Sequence, residues 1–140
     1  MVQSYQAASD FSDQMVGRLL DKLDATGRAD NTIIVLWSDH GYHLGDKEAT
    51  VKFTMWEKAN HVPFIIVAPG IVEPGIKVER PVSLIDIYPT LVELAGISPK
   101  AELDGTSLVP LLKDPNTKWE QPALMTWLKG NHAVRSDRWR

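Results

Sequence analysis

The chain of 140 residues contains no cysteine, so disulfide bonds, thiolate metal ligands and thiol catalysis are excluded within it. It also lacks any apolar run of the roughly 18 residues that a membrane-spanning helix needs. Residues 1–10 are polar and show no signal-peptide pattern. There is no large excess of charge, because the formal net charge is -3 and the pI is about 5.8. We therefore expect neither nucleic acid nor an anionic membrane surface as a partner.

The composition is that of an ordinary globular domain, with 44% hydrophobic and 24% charged residues. The length suits one domain of typical size. The polar stretch 113–117, Lys-Asp-Pro-Asn-Thr, is rich in turn-forming residues and predicts a boundary. We therefore expect a core unit over residues 1–112, and a linker with a first hairpin over residues 113–140.

Two apolar runs, residues 32–37 and 64–68, predict strands buried on both faces, as in a parallel sheet. Asp39 and His40 come directly after the first run, and Gly41 would let the backbone turn sharply there. In open α/β sheets, ligands bind at the carboxyl ends of the strands. Asp39 and His40 therefore occupy a position where functional residues are often found.

Other patterns predict the remaining elements. Apolar residues at spacings of three and four predict an amphipathic helix over residues 5–25 that packs on the sheet and ends at Gly27. A short helix is expected over residues 54–60, and another over 87–95 with Asp86 as its N-cap. Residues 123–127 and 132–139 predict a hairpin.

An Asp after a strand can be a simple turn or cap residue. An adjacent Asp and His can also both bind one divalent cation. The carboxylate suits hard ions such as Ca²⁺ or Mg²⁺, whereas an imidazole alone favours Zn²⁺. The residue types leave both alternatives open.

The stretch SDHGYHLGDK (38–47), followed by KFTMWEKANHVPFIIVAPG (52–70), resembles the second half of the type I sulfatases. The iduronate-sulfatase-like and choline-sulfatase-like branches are the most similar. The resemblance continues through SLIDIYPTLVELAG, LDGTSLVPLL and HAVRSDRWR, so it covers nearly the whole chain. It implies an α/β fold, namely the C-terminal portion of an alkaline-phosphatase-like α/β/α sandwich with the start of a small antiparallel sheet. The implied activity of the parent protein is hydrolysis of a sulfate ester.

The resemblance also implies roles for individual residues. Asp39 and His40 match the positions that ligate one divalent cation, with Ca²⁺ expected first and Mg²⁺ second. Lys52 matches a lysine that contacts the sulfate oxygens, which makes it both a catalytic and a substrate-binding residue. His43 has no fixed family role, so it either touches the substrate or faces solvent. The implied substrate is a sulfated small molecule or a sulfated sugar.

The family's nucleophile is a formylglycine made from a cysteine in a Cys-x-Pro-Ser-Arg stretch, or a serine in a minority of members. Neither version of the stretch occurs here. We therefore expect this segment alone to be inactive, and its uncovered apolar faces to cause self-association. Two alternatives stay open. One is a phosphodiesterase or phosphonate monoester hydrolase of the same superfamily, and the other is a non-catalytic α/β module that binds a cation or a partner.

Overall fold

The computed structural model describes residues 1–100 and 102–139. Residue 140, the last residue of the expected second unit, therefore lies outside the described residues. Three 3₁₀ segments lie at Ala29–Asn31, Asp46–Glu48 and Leu84–Asp86. Among the described residues, no helix is both long and apolar enough to cross a membrane. The helices and strands are, in chain order, α1 (Val2–Ala25), β1 (Ile34–Trp37), α2 (Glu57–Asn60), β2 (Phe64–Val67), α3 (Ile87–Leu94), α4 (Val109–Lys113), β3 (Ala123–Thr126) and β4 (His132–Arg135).

β1 and β2 form a two-stranded antiparallel sheet, in which Ile34 faces Val67 and Trp37 faces Phe64. The expectation of parallel strands buried on both faces is therefore wrong for this pair. Trp37 is 51% exposed and Ile65 is 53% exposed, and no third strand joins the sheet within residues 1–100 and 102–139. The antiparallel arrangement places the start of β2 beside the end of β1, where the Asp-His pair follows.

Helix α1 forms as expected but does not pack as expected. The backbone of Gly27 adopts φ +65°, a left-handed conformation that favours glycine after a helix end. No residue of α1 is buried, and its apolar residues Phe11 and Leu19 are 62% and 70% exposed. The apolar periodicity predicted the helix correctly. It did not predict the packing, because no sheet face in the described part of the chain covers the apolar stripe. The rings of Tyr5 and Tyr42, 5.9 Å apart, provide one contact between α1 and the rest of the chain.

A small core forms where the end of β2 meets α3 and α4. Ala68, Leu94 and Val109 are buried together. Leu111, two residues after Val109, is the largest fully buried apolar side chain among the described residues. Half-buried side chains pack around this group, namely Ile33, Ile66, Val72 and Leu112. This core anchors the end of the sheet at which β1 begins and β2 ends.

Asp86 has a structural role, but not the one expected. Its Oδ2 accepts the backbone N–H of Ser83 at 2.9 Å, and its Oδ1 accepts the N–H of Thr106 at 2.8 Å. It therefore completes a capping box over Leu84–Asp86 instead of capping the next helix, and makes no side-chain bond to α3. These two bonds satisfy the buried carboxylate and tie the segment before α4 to the start of α3.

The C-terminal hairpin pairs β3 with β4 and is shorter than its expected strands. Its turn is closed by the N–H of Trp127, which donates to the Asn131 carbonyl at 3.0 Å, with Gly130 at φ +85°. The hairpin contacts the rest of the chain through the stacked rings of Phe53 and Trp127, and through an ion pair between Arg80 and Asp137. The division into units 1–112 and 113–140 stays a prediction.

We expect the 140-residue chain to self-associate, because exposed apolar faces and unpaired sheet edges recruit partners. Light scattering should show species larger than a monomer, and a dye that fluoresces on apolar surfaces should bind. Ile65→Lys, on the exposed face of β2, should lower the average mass. Ile97→Lys, at a position that is 61% exposed and follows α3, should not. A monodisperse monomer without dye binding would count against this expectation.

Candidate active site

Asp39 and His40 lie side by side immediately after β1. Asp39 Oδ2 is 3.5 Å from His40 Nε2, and the side chains are 82% and 36% exposed. Asp39 Oδ1 accepts the backbone N–H of His40 at 3.1 Å. One carboxylate oxygen is thus held by the backbone while the other lies near the imidazole. The structure brings the two expected metal ligands together at the surface.

A hydrogen bond fixes the orientation and tautomer of the His40 ring. Its Nδ1 is 2.9 Å from the carbonyl oxygen of Gly41. Because a carbonyl oxygen only accepts, Nδ1 carries the proton and Nε2 keeps its lone pair. Metal-binding histidines commonly donate their second ring N–H to a carbonyl in this way. The hydroxyl of Ser38 also donates to the His40 carbonyl at 2.7 Å, which braces the same turn.

This pair fits a divalent cation. Two ligand atoms about 2.3–2.6 Å from Ca²⁺ and at a right angle lie about 3.3–3.7 Å apart, which agrees with the 3.5 Å between Asp39 Oδ2 and His40 Nε2. Two ligands are fewer than the six to eight that Ca²⁺ takes. In the described part of the chain, no three His, Cys, Asp or Glu residues are grouped to hold a metal ion. Further ligands would have to come from elsewhere.

Gly41 is required because the backbone after His40 packs directly on α2. Its N–H donates to the Ala59 carbonyl at 2.8 Å. A Cβ at this position would collide with the carbonyl oxygen of Lys58. The φ angle of Gly41 is not in the left-handed region, so the need for glycine does not come from a backbone conformation closed to other residues. The requirement is steric.

We expect Gly41→Ala to destabilise the chain, since either the Asp-His turn or α2 must move to admit the methyl group. Overpacking of this kind typically costs about 1–3 kcal/mol, which should lower the midpoint of thermal unfolding by about 3 °C or more. Gly17→Ala is the matched control, because a Cβ at Gly17 in α1 would meet no atom within 4 Å. That variant should unfold at the same temperature or higher. An unchanged midpoint for Gly41→Ala would contradict the steric argument.

The loop after Gly41 is closed by hydrogen bonds between its two limbs. The N–H of His43 donates to the Val51 carbonyl at 2.9 Å, and the N–H of Gly45 donates to the Ala49 carbonyl at 2.9 Å. The hydroxyl of Tyr42 donates to the Thr50 carbonyl at 3.0 Å. We call residues 41–56 the site loop. Its limbs are connected at several levels, so the residues on the returning limb are held relative to the Asp-His pair.

His43 lies inside the site loop and is fully buried, with 0% exposure. Its Nε2 is 2.7 Å from Thr54 Oγ1, and its ring packs edge-on against Trp56 with centroids 5.4 Å apart. The alternative that His43 faces solvent is therefore wrong. Because no part of the ring reaches the surface, contact with a substrate would require the site loop to open. That contact stays a prediction.

Lys52 lies on the returning limb of the site loop and is partly exposed. Its Nζ is 5.6 Å from the ring centroid of Phe53, within range of a cation–π contact. The structure thus places Lys52 on the same hydrogen-bonded loop that begins beside Asp39 and His40. Its contact with sulfate stays a prediction.

An aromatic groove of about 690 Å³, which was not predicted from the sequence, lies beside the site loop. The rings of Phe53 and Trp127 stack with centroids 4.9 Å apart, and the Lys47 ammonium is 4.6 Å from the Trp56 ring centroid. The aromatic residues around Lys52 were a visible signal, but only the fold brings the hairpin against them. The groove is lined by Lys47, Phe53, Thr54, Met55, Trp56, Glu57, Trp127, Asn131 and Ala133.

The sequence is similar to those of known proteins. Residues 1–97 match the family model described as Sulfatase. The chain is 41% identical over 140 residues to a protein named sulfatase from Formosa agariphila, covering 100% of this chain and 27% of the relative. It is 35% identical over 146 residues to choline-sulfatase of Rhizobium meliloti, covering 99% of this chain and 28% of the relative. The chain therefore spans about a quarter of the length of these relatives.

Solved structures share the fold. One, of a protein in complex with its substrate D-glucosamine-2-N,6-O-disulfate, has a TM-score of 0.74 at 29% identity over 89% of this chain and 27% of that one. The phosphonate monoester hydrolase of Silicibacter pomeroyi has a TM-score of 0.73 at 39% identity, over 80% of this chain and 22% of that one. These matches confirm the expected partial alkaline-phosphatase-like α/β fold. The stretch with the Asp-His pair and the site loop lies within the residues that match the family model. Because of this match and the 41% identical relative, the chain belongs to the sulfatase family.

Proposed function

We propose that this chain carries the metal-binding and sulfate-binding part of an enzyme that hydrolyses sulfate esters. The observation that carries the proposal is the exposed Asp39–His40 pair, whose Oδ2 and Nε2 atoms are 3.5 Å apart and whose tautomer is fixed by Gly41. In this proposal Asp39 and His40 bind a divalent cation, Ca²⁺ first and Mg²⁺ second. Lys52 binds the sulfate oxygens. Membership of the sulfatase family supports these roles.

The chain's own residues each have a defined task in this reaction. A bound divalent cation would screen the charge of the sulfate and help to polarise the nucleophile. Asp39 and His40 hold that charge at the end of β1. The Lys52 ammonium offsets the negative charge that builds on the sulfate oxygens in the transition state. Since the chain contains no cysteine, a formylglycine nucleophile would have to come from another part of a longer enzyme.

A sulfated sugar is the substrate class that the aromatic groove supports best. The flat faces of Phe53, Trp56 and Trp127 suit the C–H face of a sugar ring, and they lie beside the loop that carries Lys52. The ammonium of Lys47 at the same groove suits a second anionic group on such a sugar. A structural relative at 29% identity is described with a disulfated glucosamine as its substrate.

The second candidate is a phosphonate monoester hydrolase. The solved enzyme of this type from Silicibacter pomeroyi is 39% identical to this chain at a TM-score of 0.73. Sulfate esters and phosphonate monoesters both present tetrahedral anionic groups, so the Asp-His pair and Lys52 suit either one.

The test is a comparison of kcat/KM for an aryl sulfate and an aryl phosphonate monoester, with a full-length enzyme that contains this segment and with the 140-residue chain. We expect the full-length enzyme to prefer the sulfate. We expect the 140-residue chain to show no turnover with Ca²⁺ or Mg²⁺, because catalysis needs an aligned nucleophile that it does not supply. A preference for the phosphonate would favour the second candidate. Turnover by the chain alone that disappears in Asp39→Ala would show that a complete site assembles from this segment.

A further inference from the structure

We infer that His43 is a positioning residue for Lys52, and that it acts through a series formed by Asp46, His43 and Thr54, of which only His43 is fully buried. The inference rests on the proposed role of Lys52 in binding sulfate. It assigns a function to a histidine that is fully buried although it lies in a polar surface loop. The series connects the tip of the site loop to the residues that flank Lys52.

His43 forms hydrogen bonds with residues on both sides of Lys52 in the sequence. The backbone N–H of His43 donates to the carbonyl of Val51, the residue before Lys52, at 2.9 Å. On the other side, the ring Nε2 is 2.7 Å from the hydroxyl of Thr54. The N–H of Thr54 in turn donates to the carbonyl of Lys52 at 2.8 Å. One residue therefore determines where the backbone of Lys52 lies relative to the start of the loop at Gly41.

The hydroxyl of Thr54 links the His43 ring to the backbone of Trp56. The N–H of Trp56 lies 3.4 Å from Thr54 Oγ1, which accepts from it. The same oxygen also shares a hydrogen bond with His43 Nε2, whose direction depends on the ring tautomer. Nδ1 is buried and has no hydrogen-bond partner among the described residues. The nearest charge is Asp46 Oδ2 at 3.6 Å, too far for a hydrogen bond but of the sign that favours a proton on Nδ1.

The position of the Lys52 backbone matters because the lysine side chain is long and flexible. A shift of about 1 Å in a catalytic group can lower the rate by about a hundredfold. If the returning limb separates from His43, Lys52 keeps its charge but loses its fixed location. A merely structural histidine would affect folding stability without acting specifically through Lys52, so the two roles can be separated.

The experiment is a double-mutant cycle of Thr54→Val and Lys52→Ala in a full-length sulfatase that contains this segment. Thr54→Val keeps the shape of the side chain and removes the hydroxyl that meets His43. We expect it to lower kcat/KM toward an aryl sulfate by about tenfold or more when Lys52 is present. In the Lys52→Ala background the same substitution should change kcat/KM by less than about twofold, because the group it positions is already gone.

Two further variants complete the design. Thr54→Ser retains a hydroxyl and should recover kcat/KM to within about threefold of the parent enzyme. Thr50→Val is the matched control, since Thr50 is exposed on the same loop and its hydroxyl makes no hydrogen bond within the described part of the chain. It should leave kcat/KM unchanged. Metal content should stay normal in all five variant proteins, because none of these changes touches Asp39 or His40.

Equal losses from Thr54→Val with and without Lys52 would overturn the positioning role alone. A loss of less than about threefold from Lys52→Ala itself would overturn the proposed function of Lys52 and this inference together. Should Thr54→Val reduce folding, Asp46→Asn provides a second probe, because its side chain is 47% exposed and can be changed without opening the core. It should lower kcat/KM by about threefold with Lys52 present and leave it unchanged without Lys52, and equal effects in both backgrounds would again contradict positioning.

Discussion

In a full-length sulfatase that contains this segment, Asp39→Ala should abolish hydrolysis of sulfate esters, and the bound divalent cation should be lost with it. The carboxylate is the harder ligand of the pair, and hard cations such as Ca²⁺ are bound mainly through oxygen. Its Oδ2 is the atom that lies 3.5 Å from His40 Nε2, and its side chain is 82% exposed and therefore accessible. After the substitution only the imidazole of His40 remains. Metal analysis and kcat measured on the same preparation test the result directly.

Asp13→Ala is the matched control for this experiment, since Asp13 is an exposed carboxylate in α1. It should leave both metal content and kcat unchanged. In the 140-residue chain alone, calorimetry should show little Ca²⁺ binding below millimolar concentrations, because two ligands fall short of the six to eight that Ca²⁺ takes. Activity that survives Asp39→Ala would reject the ligand assignment.

Features that depend on neighbouring residues could be predicted from the sequence. Gly27 ends α1, and Gly130 lies in the hairpin turn, both in left-handed backbone that glycine adopts easily. Asp39 and His40 were expected together because adjacent residues at a strand end stay adjacent in any fold. The tautomer of His40 needed the structure, since it depends on a carbonyl oxygen that only the folded turn brings within 2.9 Å.

Features that depend on distant parts of the chain could not be predicted. An apolar run indicates that a strand is suited to burial, but it does not identify the strand's partner or the partner's direction. The antiparallel pairing of β1 and β2 is the clearest case. It places the N–H of Ser38 3.3 Å from the carbonyl of Pro63. Consequently, the residues that lead into β2 lie at the same end of the sheet as the Asp-His pair.

The site loop illustrates the same limit at shorter range. His43 lies among polar residues in the sequence, so neither of its expected roles included burial. Its environment depends on the loop closing through Val51 and Thr54, and on Trp56 covering the ring. The aromatic groove likewise needs Phe53 and Trp127 to meet across the hairpin contact. Such contacts depend on the three-dimensional path of the chain, so no periodic pattern in the sequence predicts them.

Lys52→Ala should lower kcat/KM toward sulfate esters by roughly a hundredfold or more in the full-length enzyme, while its metal content stays normal. The estimate comes from deletion of a single oxyanion-hole donor, which typically removes about 2.7–4 kcal/mol of transition-state stabilisation. The backbone of Lys52 is held on the closed limb of the site loop, so only its side chain has to be ordered when the ammonium meets developing charge. The normal metal content separates this loss from that of Asp39→Ala, in which the cation and the activity disappear together.

Lys58→Ala is the matched control, because Lys58 is an exposed lysine on the neighbouring helix α2 and the substitution removes the same charge. It should change kcat/KM by less than about twofold, as expected for the loss of one exposed charge. Lys52→Arg keeps the positive charge but changes its geometry, so it should recover only part of the activity. A loss of less than about threefold from Lys52→Ala would show that Lys52 is a surface lysine without a role in binding sulfate, because a contact with developing charge is worth far more than that.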